Sequence, residues 1–201
     1  MIYWLSRTIL LLFFKICFRY RARYTENLPK KGAFIIAGNH LSFLDPMAAG
    51  FTVKRRVCFL ARESLFHNRL FSMWGHSVGA IPIKRGRFDL SAMKGSLERL
   101  RQGYVVAFFP EGTRSRDGSV KDPKGGVGFL AAKAGVPIVP VFIKGSDKAL
   151  PSHAIFIRLK PIETRVGRPV SPEEFLDKDG NCDYQALSQE VMRRVHKLGE
   201  D

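Results

Sequence analysis

Residues 33–46 read AFIIAGNHLSFLDP, an apolar run followed by a polar turn and a helix start. The run at 33–37 has the length and composition of a buried strand. Asp45 and Pro46 can open a helix, because proline is tolerated in the first helical turn. A strand, a turn and a helix in this order indicate one unit of an α/β layer architecture.

The same alternation continues along the chain of 201 residues, a length that is ample for one domain. The further predicted strands are 57–61, 80–83, 104–109, 136–143, 154–159 and 162–170, and the further predicted helices are 64–75, 89–102, 126–134 and 183–198. The sequence therefore predicts a single α/β domain at 26–201, with a largely parallel, mixed sheet flanked by helices, after an N-terminal segment at 1–25.

The turn after the first strand carries His40 and, five residues later, Asp45. On a regular helix this spacing separates two side chains by about 140°, so they meet only if His40 lies in a turn and Asp45 near the helix start. An imidazole takes a proton near neutral pH, and a carboxylate on its other nitrogen fixes the tautomer and strengthens the base. The pair would activate a hydroxyl group; the alternative is a loop histidine beside an N-cap aspartate.

A second polar segment, FPEGTRSR at 109–116, follows another apolar run. The arginines Arg114 and Arg116 offer guanidinium groups that suit a phosphate, and backbone N–H groups around Gly112 could join them. The sharp turn itself consists of Glu111, Gly112 and Thr113. If the strands are parallel neighbours, this segment and the His40 turn open on the same edge of the sheet. The alternative is a solvated loop whose arginines pair with Asp117.

Two weaker candidates for anion binding lie elsewhere. Lys84 and Arg85 follow the predicted strand at 80–83, from which Arg85 could reach the same crevice. Lys124 precedes the glycine-rich stretch at 125–128, a possible phosphate site at a helix N-terminus. Charge runs usually face solvent, so each of these patterns is weak alone.

The composition is strongly basic, with 33 Lys and Arg against 18 Asp and Glu, a net charge of +15 and a pI near 10.1. Such a surplus indicates a polyanionic partner, either nucleic acid or an anionic membrane. The three cysteines have no spacing typical of a metal site or a disulfide framework, so no metal and a reducing compartment are expected. The aromatic and basic strand pattern of single-strand nucleic-acid readers is also missing, which favours the membrane.

The N-terminal segment at 1–20 is dominated by large apolar side chains, interrupted by Arg7, Lys15 and Arg19. Because these cations fall in one sector of a helix, the segment is predicted to lie in the membrane plane, with its cations at the headgroups. The expected membrane contacts are Trp4, Leu5, Arg7, Leu11, Phe14, Lys15 and Arg19. A signal peptide and a helix that packs on the domain are the alternatives.

Four segments, taken in order, resemble the motifs of the 1-acyl-glycerol-3-phosphate acyltransferase (PlsC-type) family of glycerolipid acyltransferases. They are NHLSFLD at 39–45, GAIPIKR at 79–85, FPEGTRS at 109–115 and VPIVPV at 136–141. Each motif alone is moderately specific, and four in sequence are strong. The resemblance covers most of the chain, roughly residues 28 to 170.

The resemblance implies that the chain transfers an acyl group from acyl-CoA or acyl carrier protein to lysophosphatidic acid, giving phosphatidic acid. His40 would be the general base, oriented by Asp45, and Pro140 would shape the donor side. The glycerol phosphate would lie among Arg85, Glu111, Gly112, Thr113 and Arg114, with Lys84 and Lys124 as further contacts. Neither a cofactor nor a covalent nucleophile would be needed, because a thioester already has a good leaving group.

The expected location is the cytoplasmic face of the inner membrane, as a peripheral or monotopic protein. Two other hypotheses remain open at this stage. The acceptor could be another lyso-lipid, such as a lyso-ornithine lipid or a lysophospholipid that is being remodelled. Alternatively, the chain could be a basic peripheral membrane protein without catalysis, which would account for the charge and the N-terminal segment.

Overall fold

The computed structural model describes residues 1–84, 89–110, 125–151, 154 and 156–200 of the chain. Its helices are α1 (Ile2–Phe18), α2 (Asp45–Phe51), α3 (Arg69–Val78), α4 (Leu90–Arg101), α5 (Gly126–Ala134), α6 (Ser146–Ala149) and α7 (Tyr184–Glu200). Its strands are β1 (Arg21–Arg23), β2 (Phe34–Gly38), β3 (Val57–Arg62), β4 (Ile81–Ile83), β5 (Val105–Phe108), β6 (Ile138–Lys144) and β7 (Glu163–Val166). Short 3₁₀ turns lie at Thr25–Asn27, Glu63–His67 and Pro172–Phe175.

The described strands form one seven-stranded sheet in the order β1-β7-β6-β2-β5-β3-β4. All neighbouring pairs are parallel except β6 and β7, which run antiparallel. β2 lies between β5 and β6, so its carboxyl end opens at the centre of the sheet edge. The predicted fold class, a single α/β domain with a largely parallel, mixed sheet, is confirmed.

Each face of the sheet is covered by its own hydrophobic core. Phe34 and Ile36 of β2 belong to the core under α1 and α2, whereas Ile35 and Ala37 belong to the core under α4, α5 and α7. All four side chains are no more than 1% exposed. Because both faces of the strand are buried, apolar residues occupy every position rather than alternate ones.

The prediction and the structure differ in three elements. The run at 154–159 forms no strand in the residues described; the backbone N–H of Arg158 donates instead to Ala149 O at the end of α6 (2.8 Å). The helix predicted at 64–75 is divided at Asn68, whose side chain accepts a hydrogen bond from Phe71 N and caps α3. The three-residue strand β1 was not predicted.

Helix α1 packs on the domain with the face that carries Arg7. Phe14 and Phe18 are 1% and 0% exposed in the core beneath it, and Leu11 packs against the same core. Arg7 Nη2 donates hydrogen bonds to the carbonyls of Val53 (2.7 Å) and Phe51 (3.4 Å). The expected membrane contacts through Arg7 and Phe14 are therefore wrong, because both side chains point into the protein.

The side of α1 that faces solvent is apolar. At about 100° per residue, its exposed large side chains span an arc of about 100° opposite the core. They are Ile2, Leu5, Ile9, Leu12, Phe13 and Ile16, and Trp4, Lys15 and Arg19 are exposed beside them. In the part of the chain that is described, no helix combines the length and the apolar composition that a bilayer crossing needs.

Candidate active site

The candidate site begins where β2 ends at Gly38. A Cβ atom at this position would lie 2.9 Å from the carbonyl oxygen of Val141 on β6, so a larger residue would push the strands apart. Gly38 pairs with Val141 in the parallel register. The glycine therefore allows the close approach of β2 and β6 directly before the polar turn.

Asn39 joins the end of β2 to β6 through its side chain. Its Oδ1 accepts a hydrogen bond from Ile143 N (2.8 Å), and its Nδ2 donates one to Ile143 O (3.0 Å). The amide thus occupies the place that the next peptide of β2 would take, while the main chain turns away from the sheet. Asn39 is 3% exposed and Ile143 is 1% exposed, so water cannot readily replace these bonds.

His40 and Asp45 meet as expected from the sequence. His40 Nδ1 lies 3.0 Å from Asp45 Oδ2, with His40 in the turn and Asp45 at the first position of α2. The two residues are 7% and 0% exposed. Since a carboxylate oxygen accepts, Nδ1 donates, and Nε2 carries the lone pair of the neutral ring.

The carboxylate of Asp45 is fixed by more than the histidine. Its Oδ2 also accepts hydrogen bonds from the backbone N–H groups of Leu41 and Ser42, each at 2.6 Å. Asp45 Oδ1 is buried and has no hydrogen-bond partner among the residues described. The hydrogen bonds to this carboxylate thus converge on the oxygen that orients the imidazole.

Contacts to distant elements hold the turn and α2 in place. Ser42 Oγ donates to Leu150 O (2.7 Å), just after α6. Tyr20 OH donates to Ala48 O (2.8 Å) in α2 and also contacts Thr164 Oγ1 (2.9 Å) on β7. Burial raises the pKa of the Tyr20 hydroxyl, which therefore remains a donor. Leu150 thus holds the His40 turn, and Tyr20 holds α2.

Phe109, directly after β5, stacks on the imidazole. The ring centroids of His40 and Phe109 are 4.5 Å apart, and the planes are inclined by 26°. This contact confirms that the segments after β2 and β5 open on the same edge. Neither Phe109 nor Asn39 was predicted to position His40. Each belongs to a motif in which the function was assigned to other residues.

Most of the predicted phosphate contacts lie outside the described residues; they are Arg85, Glu111, Gly112, Thr113, Arg114 and Lys124. Lys84 is described, and its Nζ lies 3.6 Å from Glu63 Oε1 on the exposed surface. β4, which precedes Lys84, is three strands from β2, or about 14 Å across the sheet. Pro140 is buried inside β6, and its contribution to the donor side stays a prediction.

The geometry of the observed groups suits proton transfer. In the described ranges, no three His, Cys, Asp or Glu side chains come together in a way that could hold a metal ion. What they do provide is a nearly buried imidazole whose tautomer, plane and position are each fixed by a separate contact. Such a group can remove a proton from a hydroxyl group placed at Nε2.

A family profile and several known proteins are similar to this chain. The sequence profile of the acyltransferase family matches residues 19–144. A chloroplastic 1-acyl-sn-glycerol-3-phosphate acyltransferase of Brassica napus is 34% identical over 130 residues, 63% of this chain and 38% of the relative. The enzyme of the same name from Borreliella burgdorferi is 31% identical over 134 residues, 66% of this chain and 54% of the relative. The chain thus spans about a third to a half of the length of these curated relatives.

A solved structure also matches. The crystal structure of the 1-acyl-sn-glycerophosphate acyltransferase PlsC from Thermotoga maritima superposes with a TM-score of 0.74 at 27% sequence identity. The match covers 90% of this chain and 73% of that protein.

Proposed function

Since this chain belongs to the acyltransferase family, we propose that it transfers an acyl chain from a thioester donor to the free hydroxyl of lysophosphatidic acid, giving phosphatidic acid. The observation that carries this proposal is the 3.0 Å hydrogen bond between His40 Nδ1 and Asp45 Oδ2 in a nearly buried turn. The names of the matched relatives support lysophosphatidic acid as the acceptor.

His40 acts as the general base in this proposal. Nε2 removes the hydroxyl proton as the acceptor oxygen attacks the thioester carbonyl, and Asp45 stabilises the imidazolium that forms. Collapse of the tetrahedral intermediate forms the ester, breaks the C–S bond and releases the thiolate, which takes the proton from the imidazolium. General base catalysis of this kind contributes about 10²–10⁴ in rate.

The remaining roles are part of the same proposal. The glycerol phosphate of the acceptor lies among Arg85, Glu111, Gly112, Thr113 and Arg114, with further contacts from Lys84 and Lys124. Pro140 shapes the donor side, and the donor is acyl-CoA or acyl carrier protein, a co-substrate rather than a resident cofactor. The net charge of +15 favours anionic substrates and an anionic surface.

Membrane association through α1 is also proposed, with the orientation that the structure supports. The exposed apolar arc, including Leu5, enters the acyl region, while Trp4, Lys15 and Arg19 lie at the headgroups. The protein would act at the cytoplasmic face of the inner membrane as a peripheral or monotopic enzyme. The division into an interfacial segment at 1–25 and a catalytic domain at 26–201 belongs to this proposal, although Phe14 and Phe18 share the core of the sheet.

The test is thiol release by purified protein with lysophosphatidic acid and either acyl-CoA or acyl carrier protein. His40→Ala should lower turnover by about 10²–10⁴. His76→Ala is a matched control, because this imidazole is exposed on α3 and hydrogen-bonded to Ser72 O instead. Unchanged turnover in His40→Ala would overturn the proposed mechanism. A competing lyso-ornithine lipid or lysophospholipid that is used in preference to lysophosphatidic acid would replace the proposed acceptor.

A further inference from the structure

The segment FIRLK at 156–160, here called the 156–160 loop, exposes three large apolar side chains. Phe156 is 82% exposed, Ile157 48% and Leu159 72%. Exposed cations, Arg158 and Lys160, flank Leu159 on either side. A group of adjacent exposed apolar side chains is unusual on a soluble surface and indicates a contact with an apolar partner.

The 156–160 loop is attached to the end of α1. Ile162 N, two residues after the loop, donates to Phe18 O (2.9 Å), and Arg21 N donates to Ile162 O (3.1 Å). Phe18 is the last residue of α1, whose exposed apolar side includes Ile16, 77% exposed. The loop is therefore adjacent to the helix end that carries exposed apolar residues and the cations of α1.

The other side of the loop is attached to the catalytic turn. Arg158 N donates to Ala149 O (2.8 Å) at the end of α6. The next residue, Leu150, accepts the hydrogen bond from Ser42 Oγ (2.7 Å). The loop thus lies between α1 and the turn that holds His40, on the chain that leaves the carboxyl end of β6.

We propose that the 156–160 loop is a second membrane contact, which inserts Phe156, Ile157 and Leu159 into the same anionic monolayer as α1. This inference rests on the proposed function, because a lipid acceptor must reach His40 from that monolayer. Cations that alternate with aromatic and aliphatic side chains suit the boundary between headgroups and acyl chains, with Arg158 and Lys160 at the phosphates. A protein partner would not require that the loop and the adjacent end of α1 both combine basic with apolar side chains.

The test compares two leucine substitutions on opposite edges of the sheet. Leu159→Ser removes an apolar side chain from the loop. Leu176→Ser is the matched control, because Leu176 is also exposed, at 48%. It follows Val170, which pairs with Ile138 at the start of β6, so it belongs to the amino edge of the sheet. Binding to vesicles of phosphatidylcholine with phosphatidylglycerol is measured by flotation without substrate. Leu159→Ser should weaken binding about tenfold, and Leu176→Ser should leave it unchanged.

Two further variants extend the test. Phe156→Ser should weaken vesicle binding as Leu159→Ser does, and it provides an independent result if one variant folds poorly. Arg158→Gln should reduce binding to anionic vesicles and leave binding to pure phosphatidylcholine unchanged, because only the charge contact is lost. Thermal unfolding should be unaltered in all three variants, since the side chains are exposed.

Equal vesicle binding by wild type, Leu159→Ser and Phe156→Ser would overturn the inference. A change in oligomeric state by light scattering, with vesicle binding unchanged, would assign the loop to contact with a second copy of the chain. Failure of the proposed function is recognised separately, because it would abolish turnover in the wild type and leave the flotation result intact. If both hold, Leu159→Ser should retain wild-type turnover on a short-chain, monomeric lysophosphatidic acid.

Discussion

Replacing Asn39 by alanine should separate the role of this residue in holding the site from its role in the general stability of the fold. The change removes both hydrogen bonds to Ile143 and leaves a buried N–H and a buried C=O unpaired. Each unpaired group costs about 1–3 kcal/mol, so the loss in the free energy of unfolding should be about 4 kcal/mol.

Asn27 offers a matched comparison. Its Nδ2 donates one hydrogen bond to a strand carbonyl, that of Val166 (2.8 Å), from a partly buried position far from the His40 turn. Asn27→Ala should therefore cost only about 1 kcal/mol. Urea unfolding followed by circular dichroism measures both losses, and the difference of about 3 kcal/mol is the predicted quantity.

Turnover gives a second measure that stability alone would not change. Without the Asn39 amide, the main chain that carries His40 is no longer fixed to β6, and a displacement of about 1 Å can cost about 10² in rate. Asn39→Ala should therefore lower kcat far more than it changes KM for the acceptor, under conditions where it is folded. Equal losses of stability in the two asparagine variants, or wild-type kcat in Asn39→Ala, would refute the reasoning.

Three other changes test the site and the fold. Asp45→Asn should lower kcat by about 10²–10⁴, measured by thiol release, because an amide does not stabilise the imidazolium as a carboxylate does. Phe109→Leu should lower kcat about tenfold by loosening the imidazole plane, whereas Phe109→Tyr, which keeps the stacked ring, should retain activity. The hydrogen bond from Arg193 lowers the pKa of Glu190 from 4.5 to about 2, so Glu190→Gln should cost about 1 kcal/mol at pH 7.

The sign of the Glu190 prediction follows from the lowered pKa of the folded state. The carboxylate contributes stability above the ordinary pKa of 4.5, and the contribution is lost as the pH falls through about 2. The difference in the free energy of unfolding between wild type and Glu190→Gln should therefore vanish in strong acid. A difference that stays constant with pH would contradict this prediction.

For Phe109, equal kcat values in Phe109→Leu and Phe109→Tyr would show that the stacked ring does not contribute to positioning the imidazole.

The sequence predicted the features that depend on local pattern. The apolar run before His40 and the proline after Asp45 specified a strand, a turn and a helix, and this order brought the imidazole and carboxylate together. Contacts between distant residues were not accessible in the same way. Asn39 and Ile143 are 104 positions apart, and no local pattern reveals that their groups pair.

The errors have the same physical origin. The charge of Arg7 suggested an outward position, but the carbonyls at Phe51 and Val53 accept its hydrogen bonds beneath the helix. The run at 154–159 has a strand-like composition, yet the backbone N–H of Arg158 bonds to Ala149 O at the end of α6 rather than to a strand. Hydrogen-bond partners distant in sequence therefore decided these cases against the local preference.

The shared core beneath α1 has a practical consequence for handling the protein. Deleting the first 18 residues to improve solubility would remove Phe14 and Phe18 from the core that also contains Phe34 and Ile36, and would uncover the ring of Phe51, which packs against Phe14. The shortened chain should aggregate for that reason, even without any lipid. Replacing exposed residues such as Ile9 and Ile16 by polar ones would reduce nonspecific association and leave the core intact.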